Sequence, residues 1–225
     1  MQNDNRRSMC DLAILIEAQI IEAYSYDKCK NIADHFFRLV NNLHENKKIS
    51  VQAYVSTLAI LVKTNELAQN FVHNHGFKML TALLKKDCIE KAQVAYHVIC
   101  TLWVLSYHEY ARPEFCDYDL NVLEYVSKIL DYFNQEKIVR IVLMLFNNLK
   151  HDDNCLEQLS LINANSVVNK LLKKPWVDEA IKEELKNLEE FFQQNYQEFS
   201  SFEKWAKQVE RGHLAWSPVH TEKFW

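Results

Sequence analysis

Glycine and proline are almost absent: Gly76 and Gly212, with Pro113, Pro175 and Pro218, are the two glycines and three prolines of a 225-residue chain. That is too few to punctuate the many tight turns of a sandwich or barrel, so helices joined by short polar loops are predicted. An excess of basic charge is missing too. A net charge of -4 and a pI near 6.1 leave no clustered basic face for nucleic acid, and the partner is predicted to be protein. Long apolar runs are also lacking. The longest uncharged run, Ala92 to Tyr107, contains Gln93 and His97 and falls short of the roughly 20 residues of a membrane helix, so no span is predicted. Arg6 and Arg7 precede an apolar stretch that Asp11, Glu17 and Glu22 interrupt, which is a poor secretory signal and points to cytosolic residence. Cys10, Cys29, Cys88, Cys100, Cys116 and Cys155 include no CxxC pair; they are expected to be buried thiols, and neither redox nor zinc chemistry is expected.

Hydrophobic residues make up 48% of the chain and recur at spacings of three and four, so helix follows helix. The candidates are Asp11 to Tyr24, Ile32 to Leu43, Val51 to Val62, Glu66 to His75, Phe77 to Lys85, Lys91 to Tyr107, Val122 to Phe133, Gln135 to Lys150, Asp152 to Ile162, Val167 to Lys173 and Asp178 to Gln194. Gly76, Pro113 and Pro175 read as stop signals between them. The pairs Leu83-Leu84, Ile129-Leu130 and Leu171-Leu172 lie 46 and 42 residues apart, each followed by a longer apolar helix. Periods near 40 to 47 mark the armadillo and HEAT class, in which stacked helix pairs share one continuous core. The fold class is therefore all-α, an armadillo/HEAT-like helical repeat solenoid over residues 1–200.

Residues with catalytic potential do not assemble into a site in the sequence. Neither glycine lies in a strand-to-helix turn, which excludes a P-loop. His73 and His75 are two residues apart, so on one helix they cannot share a metal, and a helix-end role is expected of them. His97 reads as a packed core histidine, there being no suitably spaced nucleophile beside it. His151, Asp152 and Asp153 could be drawn as a metal cluster; a helix break with Asp152 or Asp153 as N-cap is the simpler reading. Arg140, Asn147 and Asn148 are candidate groove contacts, since armadillo proteins present asparagines to peptide backbones near this place, with ordinary solvent-facing residues as the alternative. The acidic run from Asp178 to Glu190 reads as a wet helix face with an Asp178–Lys182 pair.

Residues 201–225 obey neither helix periodicity nor strand alternation. Phe202, Trp205, Leu214, Trp216, Phe224 and Trp225 are too apolar to trail in water, and a short helix from near Phe202 is expected to end at Val209 to Arg211 with Gly212 as its left-handed residue. Pro218 holds Ser217 extended, making Trp216 to His220 a strap. The order Ser201-Phe202-Glu203, then Gly212, Leu214, Trp216, Ser217, Pro218 and His220, then Phe224-Trp225, resembles the interdomain junction of the H subunit of the vacuolar proton-pumping ATPase (V-ATPase). Val51 to Tyr107, with FVHNHGFKM and VICTLWVLS, and Glu136 to Leu149 resemble the later repeats of that family's N-terminal domain. Only Thr221, Glu222 and Lys223 separate His220 from Phe224, one residue fewer than the family pattern.

The resemblance implies residues 201–225 as a linker strap leading to a C-terminal domain that is absent, with the early repeats missing as well. It implies a non-catalytic regulatory component of the cytosolic catalytic sector, without a cofactor, that grips the E and G subunits of the peripheral stalk and supports ATP-driven proton pumping. Contact with the membrane sector's a-subunit, and silencing of the detached sector, are implied for the C-terminal domain of the full-length protein. The implied location is peripheral, on the cytosolic face of vacuolar or endosomal membranes. The competing expectation is a free-standing armadillo-type adaptor that binds extended peptides.

Overall fold

The computed structural model describes residues 13–21, 23–24, 26–41, 50–195, 206 and 209–210. A helix α1 includes residues 13–21. It is followed by α2 (Tyr26–Asn41), α3 (Val51–Leu61), α4 (Asn65–His73), α5 (Gly76–Lys85), α6 (Asp87–Glu90) and α7 (Ala92–Leu105). A 3-10 turn (Glu109–Ala111) then leads to α8 (Arg112–Phe115), α9 (Val122–Tyr132), α10 (Glu136–Leu149), α11 (Asp153–Leu161), α12 (Ala164–Leu172) and α13 (Glu179–Asn195). No strand occurs among the described residues. The molecule is a helical repeat solenoid.

Local chemistry sets the helix ends. Ser50 caps α3 by accepting the Ala53 N–H at 3.4 Å, and Asp152 caps α11 by accepting from Asn154 and Cys155 N–H, both at 3.1 Å. Before α5, α9 and α12 the chain turns through a left-handed residue: His75 (φ 60°), Asn121 (φ 52°) and Asn163 (φ 59°). These positions repeat in step with the three leucine or isoleucine pairs, eight residues before each, so the same corner is built three times.

Gly76 is not the left-handed residue; its neighbour His75 is. What the glycine provides is closeness, because a Cβ there would lie 2.4 Å from the Phe71 ring. Pro113 also differs from its expected role. It stands in the first turn of α8, where its missing N–H costs nothing, and so begins a short helix rather than ending one.

The long helices α3, α7, α10 and α13 stack in one row, α2, α5 and α9 in a second, and α8 packs on α11 in a third. Their buried faces form one continuous core running from Ile14 to Phe192. Near its beginning the core is aromatic: Phe36 stacks on Tyr54 at 4.7 Å between centroids, Phe37 meets Phe71 at 5.7 Å, and the buried Tyr54 hydroxyl donates to the Phe36 carbonyl at 3.2 Å. Farther along, Phe77 and Phe115 meet edge-to-face at 5.0 Å.

Polar side chains tie each repeat to the next. His108 Nε2 lies 3.0 Å from the Val62 carbonyl, 46 residues away, and the Tyr110 hydroxyl donates to the Asn65 carbonyl across 45. Lys137 reaches Gln93 across 44 residues, and the Val177 N–H reaches Glu136 across 41. Every one of these bonds jumps about one repeat. That is the signature of a quasi-one-dimensional stack, in which a repeat contacts only its neighbours.

Candidate functional site

The three candidate groove residues all lie on α10, the third member of the long-helix row, and each is engaged across a repeat boundary. Arg140 forms an ion pair with Asp178, which also accepts the Ala180 N–H at the start of α13. Asn147 donates to Glu184 on α13 at 3.2 Å, leaving its buried Oδ1 without a partner. Asn148 donates in the opposite direction, to the Ser106 hydroxyl just past α7 at 3.0 Å. One helix thus holds both of its neighbours. Because Asp178 is occupied by Arg140, Lys182 turns to Glu179 at 2.6 Å, and the expected Asp178–Lys182 pair is replaced by this i,i+3 pair.

The histidines separate from one another. His73 places Nδ1 2.8 Å from the Gln69 carbonyl in its own helix, and His75 is the left-handed corner residue. His97 is half-buried on α7 with Nε2 2.8 Å from the Gln93 amide nitrogen, and Lys137 donates to the oxygen of that amide at 3.0 Å. Burial first, and the nearby Lys137 charge second, hold the His97 pKa below its ordinary value, so the neutral ring accepts the Gln93 N–H. His151 does not join the aspartates. Its ring meets Phe191 on α13 edge-to-face at 5.5 Å, while Asp152 serves as the N-cap.

Two cysteines meet instead. Cys116, half-buried at the end of α8, and Cys155, fully buried in the first turn of α11, have sulfurs 3.4 Å apart. Asp152 completes a group whose ligating atoms all lie within 4.8 Å of one another, the one such trio of potential metal ligands among the described residues. The spacing of 39 residues carries no local motif. It falls short of the 42- and 46-residue repeat intervals, so the sequence carries no signal for the pair, and the packing of α8 on α11 is what brings the two together.

Phe202, Gly212, Leu214, Trp216, Ser217, Pro218, His220, Phe224 and Trp225, the strap residues, lie outside the described residues. Of the helix expected before the strap, Ala206, Val209 and Glu210 are described and are helical. Among the described residues no helix is long and apolar enough to cross a membrane.

Among solved structures, a designed armadillo repeat protein, YIII(Dq)4CqI, superposes with a TM-score of 0.64 over 80% of this chain and 74% of its own, at 14% identity; it shares the fold. Curated relatives include a probable V-type proton ATPase H subunit of Oryza sativa subsp. japonica, 30% identical over 192 residues, 84% of this chain and 41% of the relative. The V-type proton ATPase H subunit of Drosophila melanogaster is 28% identical over 198 residues, 83% of this chain and 41% of that protein. This chain therefore spans about two fifths of the length of these relatives. The family model for the V-ATPase H subunit matches residues 2–191, and on that match, with its armadillo-like stack of repeats, the chain belongs to the V-ATPase H-subunit family.

Proposed function

We propose that this protein is a non-catalytic regulatory component of the cytosolic catalytic sector of a V-ATPase, binding the E and G subunits of the peripheral stalk and supporting ATP-driven proton transport. The observation that carries this reading is the unbroken row α3–α7–α10–α13, cross-tied at every boundary by bonds such as Asn148–Ser106 and Arg140–Asp178. Such a row is an elongated scaffold suited to lying along a rod-shaped partner, and membership of the H-subunit family supports seeking that partner within a V-ATPase. Residence on the cytosolic face of the membrane belongs to the same proposal.

The peptide-adaptor alternative has less support, because it needs Arg140, Asn147 and Asn148 directed at a ligand, and each already holds a neighbouring repeat. Gel filtration of the purified chain mixed with an E–G stalk heterodimer tests the proposal. Co-migration as one species is expected. Separate elution of the folded chain, together with capture of unrelated unstructured peptides, would overturn it in favour of the adaptor.

A further inference from the structure

The geometry points to a dithiol site at Cys116 and Cys155, a reversible disulfide that staples α8 to α11 across one repeat boundary when the surroundings become oxidising. The two sulfurs lie 3.4 Å apart and must close by roughly 1.4 Å to reach the disulfide bond length of about 2.05 Å. The helices that carry them are already tied: Gln158 Nε2 donates to the Cys116 carbonyl at 3.3 Å, and the Cys155 thiol lies 3.9 Å from the Arg112 carbonyl. Little search is needed for the sulfurs to meet.

The two thiols are unequal. Cys116 is half-buried, the more exposed of the two, whereas Cys155 is buried and its proton is held tightly, by the hydrogen bond to Cys116 first and by burial second. Cys116 is therefore the attacking sulfur and Cys155 the resolving one. With a low-molecular-weight disulfide such as oxidised glutathione, the Cys116 thiolate attacks one sulfur of the reagent and expels the first glutathione thiolate. The expelled thiolate takes the Cys155 proton, whose hold is weakened once the Cys116 sulfur is tied up in the mixed disulfide, and Cys155 Sγ then attacks Cys116 Sγ and expels the second glutathione thiolate. The protein loses two electrons and two protons, and the reagent gains them as two thiols.

A cation is the competing occupant, and Asp152 argues against it. Its Oδ1 already accepts two N–H groups at the start of α11, and its Oδ2 lies 3.8 Å from the Arg112 guanidinium, so the carboxylate is engaged and its charge opposed.

The test equilibrates the whole chain in glutathione buffers of increasing oxidised fraction, quenches with acid, blocks free thiols with maleimide under denaturing conditions and maps peptides by mass. A linked Cys116–Cys155 peptide, rising at least about tenfold from the most reducing to the most oxidising buffer and reversed by dithiothreitol, is expected. Cys155→Ser, folded by circular dichroism, should retain glutathione on Cys116, and Cys116→Ser should show neither link nor adduct. Both thiols remaining maleimide-labelled in the wild-type chain at every ratio would overturn the proposal. So would a stable glutathione adduct on wild-type Cys116 without resolution. Protection of the pair by equimolar zinc alone, with no link forming at any ratio, would replace it with a metal site. The wild-type measurement decides even where a variant fails to fold.

Discussion

The Asn148 side-chain amide donates to the Ser106 hydroxyl at 3.0 Å, and that hydroxyl in turn donates to the Trp103 carbonyl at 2.6 Å. A single side chain of α10 therefore seals the C-terminal turn of α7, one repeat upstream. Replacing Asn148 by Ala should destabilise the fold by about 1 kcal/mol, the net worth of a typical intramolecular hydrogen bond. A double-mutant cycle with Ser106→Ala in urea denaturation should return a coupling of about 0.5–1.5 kcal/mol. Strict additivity would show that the two side chains do not cooperate.

Gly76→Ala places a methyl group inside the Phe71 ring contact, and Phe71 is fully buried in the core. The cost should be about 1–3 kcal/mol, as for other overpacked positions. Phe71→Leu added to Gly76→Ala should cost less than the sum of the two single changes, because the smaller side chain makes room. Measured midpoints in denaturant for the four species test this; a double variant as unstable as the sum says the methyl group clashes elsewhere.

At the left-handed corner before α12, Asn163→Gly should leave stability unchanged or slightly raised, and Asn163→Val should lower it by about 1–2 kcal/mol. The same pair of changes at Asn121 should give the same ordering, because the corner repeats. Thermal melts of the four variants check it, and equal tolerance of valine and glycine would contradict the backbone assignment.

His97 gives a pH signature. Its pKa lies below the ordinary 6.5 in the folded chain, by burial first and the Lys137 charge second, so the unfolded chain binds its proton more readily. The stability this group confers is present above the unfolded value and is lost as pH falls from about 6.5 through the folded value. Stability measured by denaturant between pH 5 and pH 7.5 should fall more on acidification for the wild type than for His97→Gln. Parallel profiles would remove His97 as the cause.

The long helices are legible in the sequence because an apolar stripe repeated at three and four residues can be buried in one way, and the leucine pairs set 46 and 42 residues apart expose the period. The corners are half legible. Asn121 and Asn163 are residue types that tolerate positive φ, but His75 stands beside a glycine whose own task is to clear the Phe71 ring, and the glycine masks the histidine. Helices α6 and α8 escape notice because four residues make one turn and show no periodicity. Arg140, Asn147 and Asn148 can be picked out as polar residues on an apolar helix, yet only the folded chain shows Asp178, Glu184 and Ser106 waiting one repeat away. Cys116 and Cys155 share no local spacing. Their 39-residue separation also misses the 42- and 46-residue repeat intervals, so only the packing of α8 on α11 brings them together.

The cross-ties that each jump a single repeat have a mechanical meaning. Boundaries linked in this way carry a load in series, so every joint feels the full force while the small yields of successive joints add together. In such a series the give of the whole stack is the sum of what its separate joints allow. A covalent clamp at one boundary, such as Cys116 joined to Cys155, would stiffen that joint alone and move the bending to its neighbours.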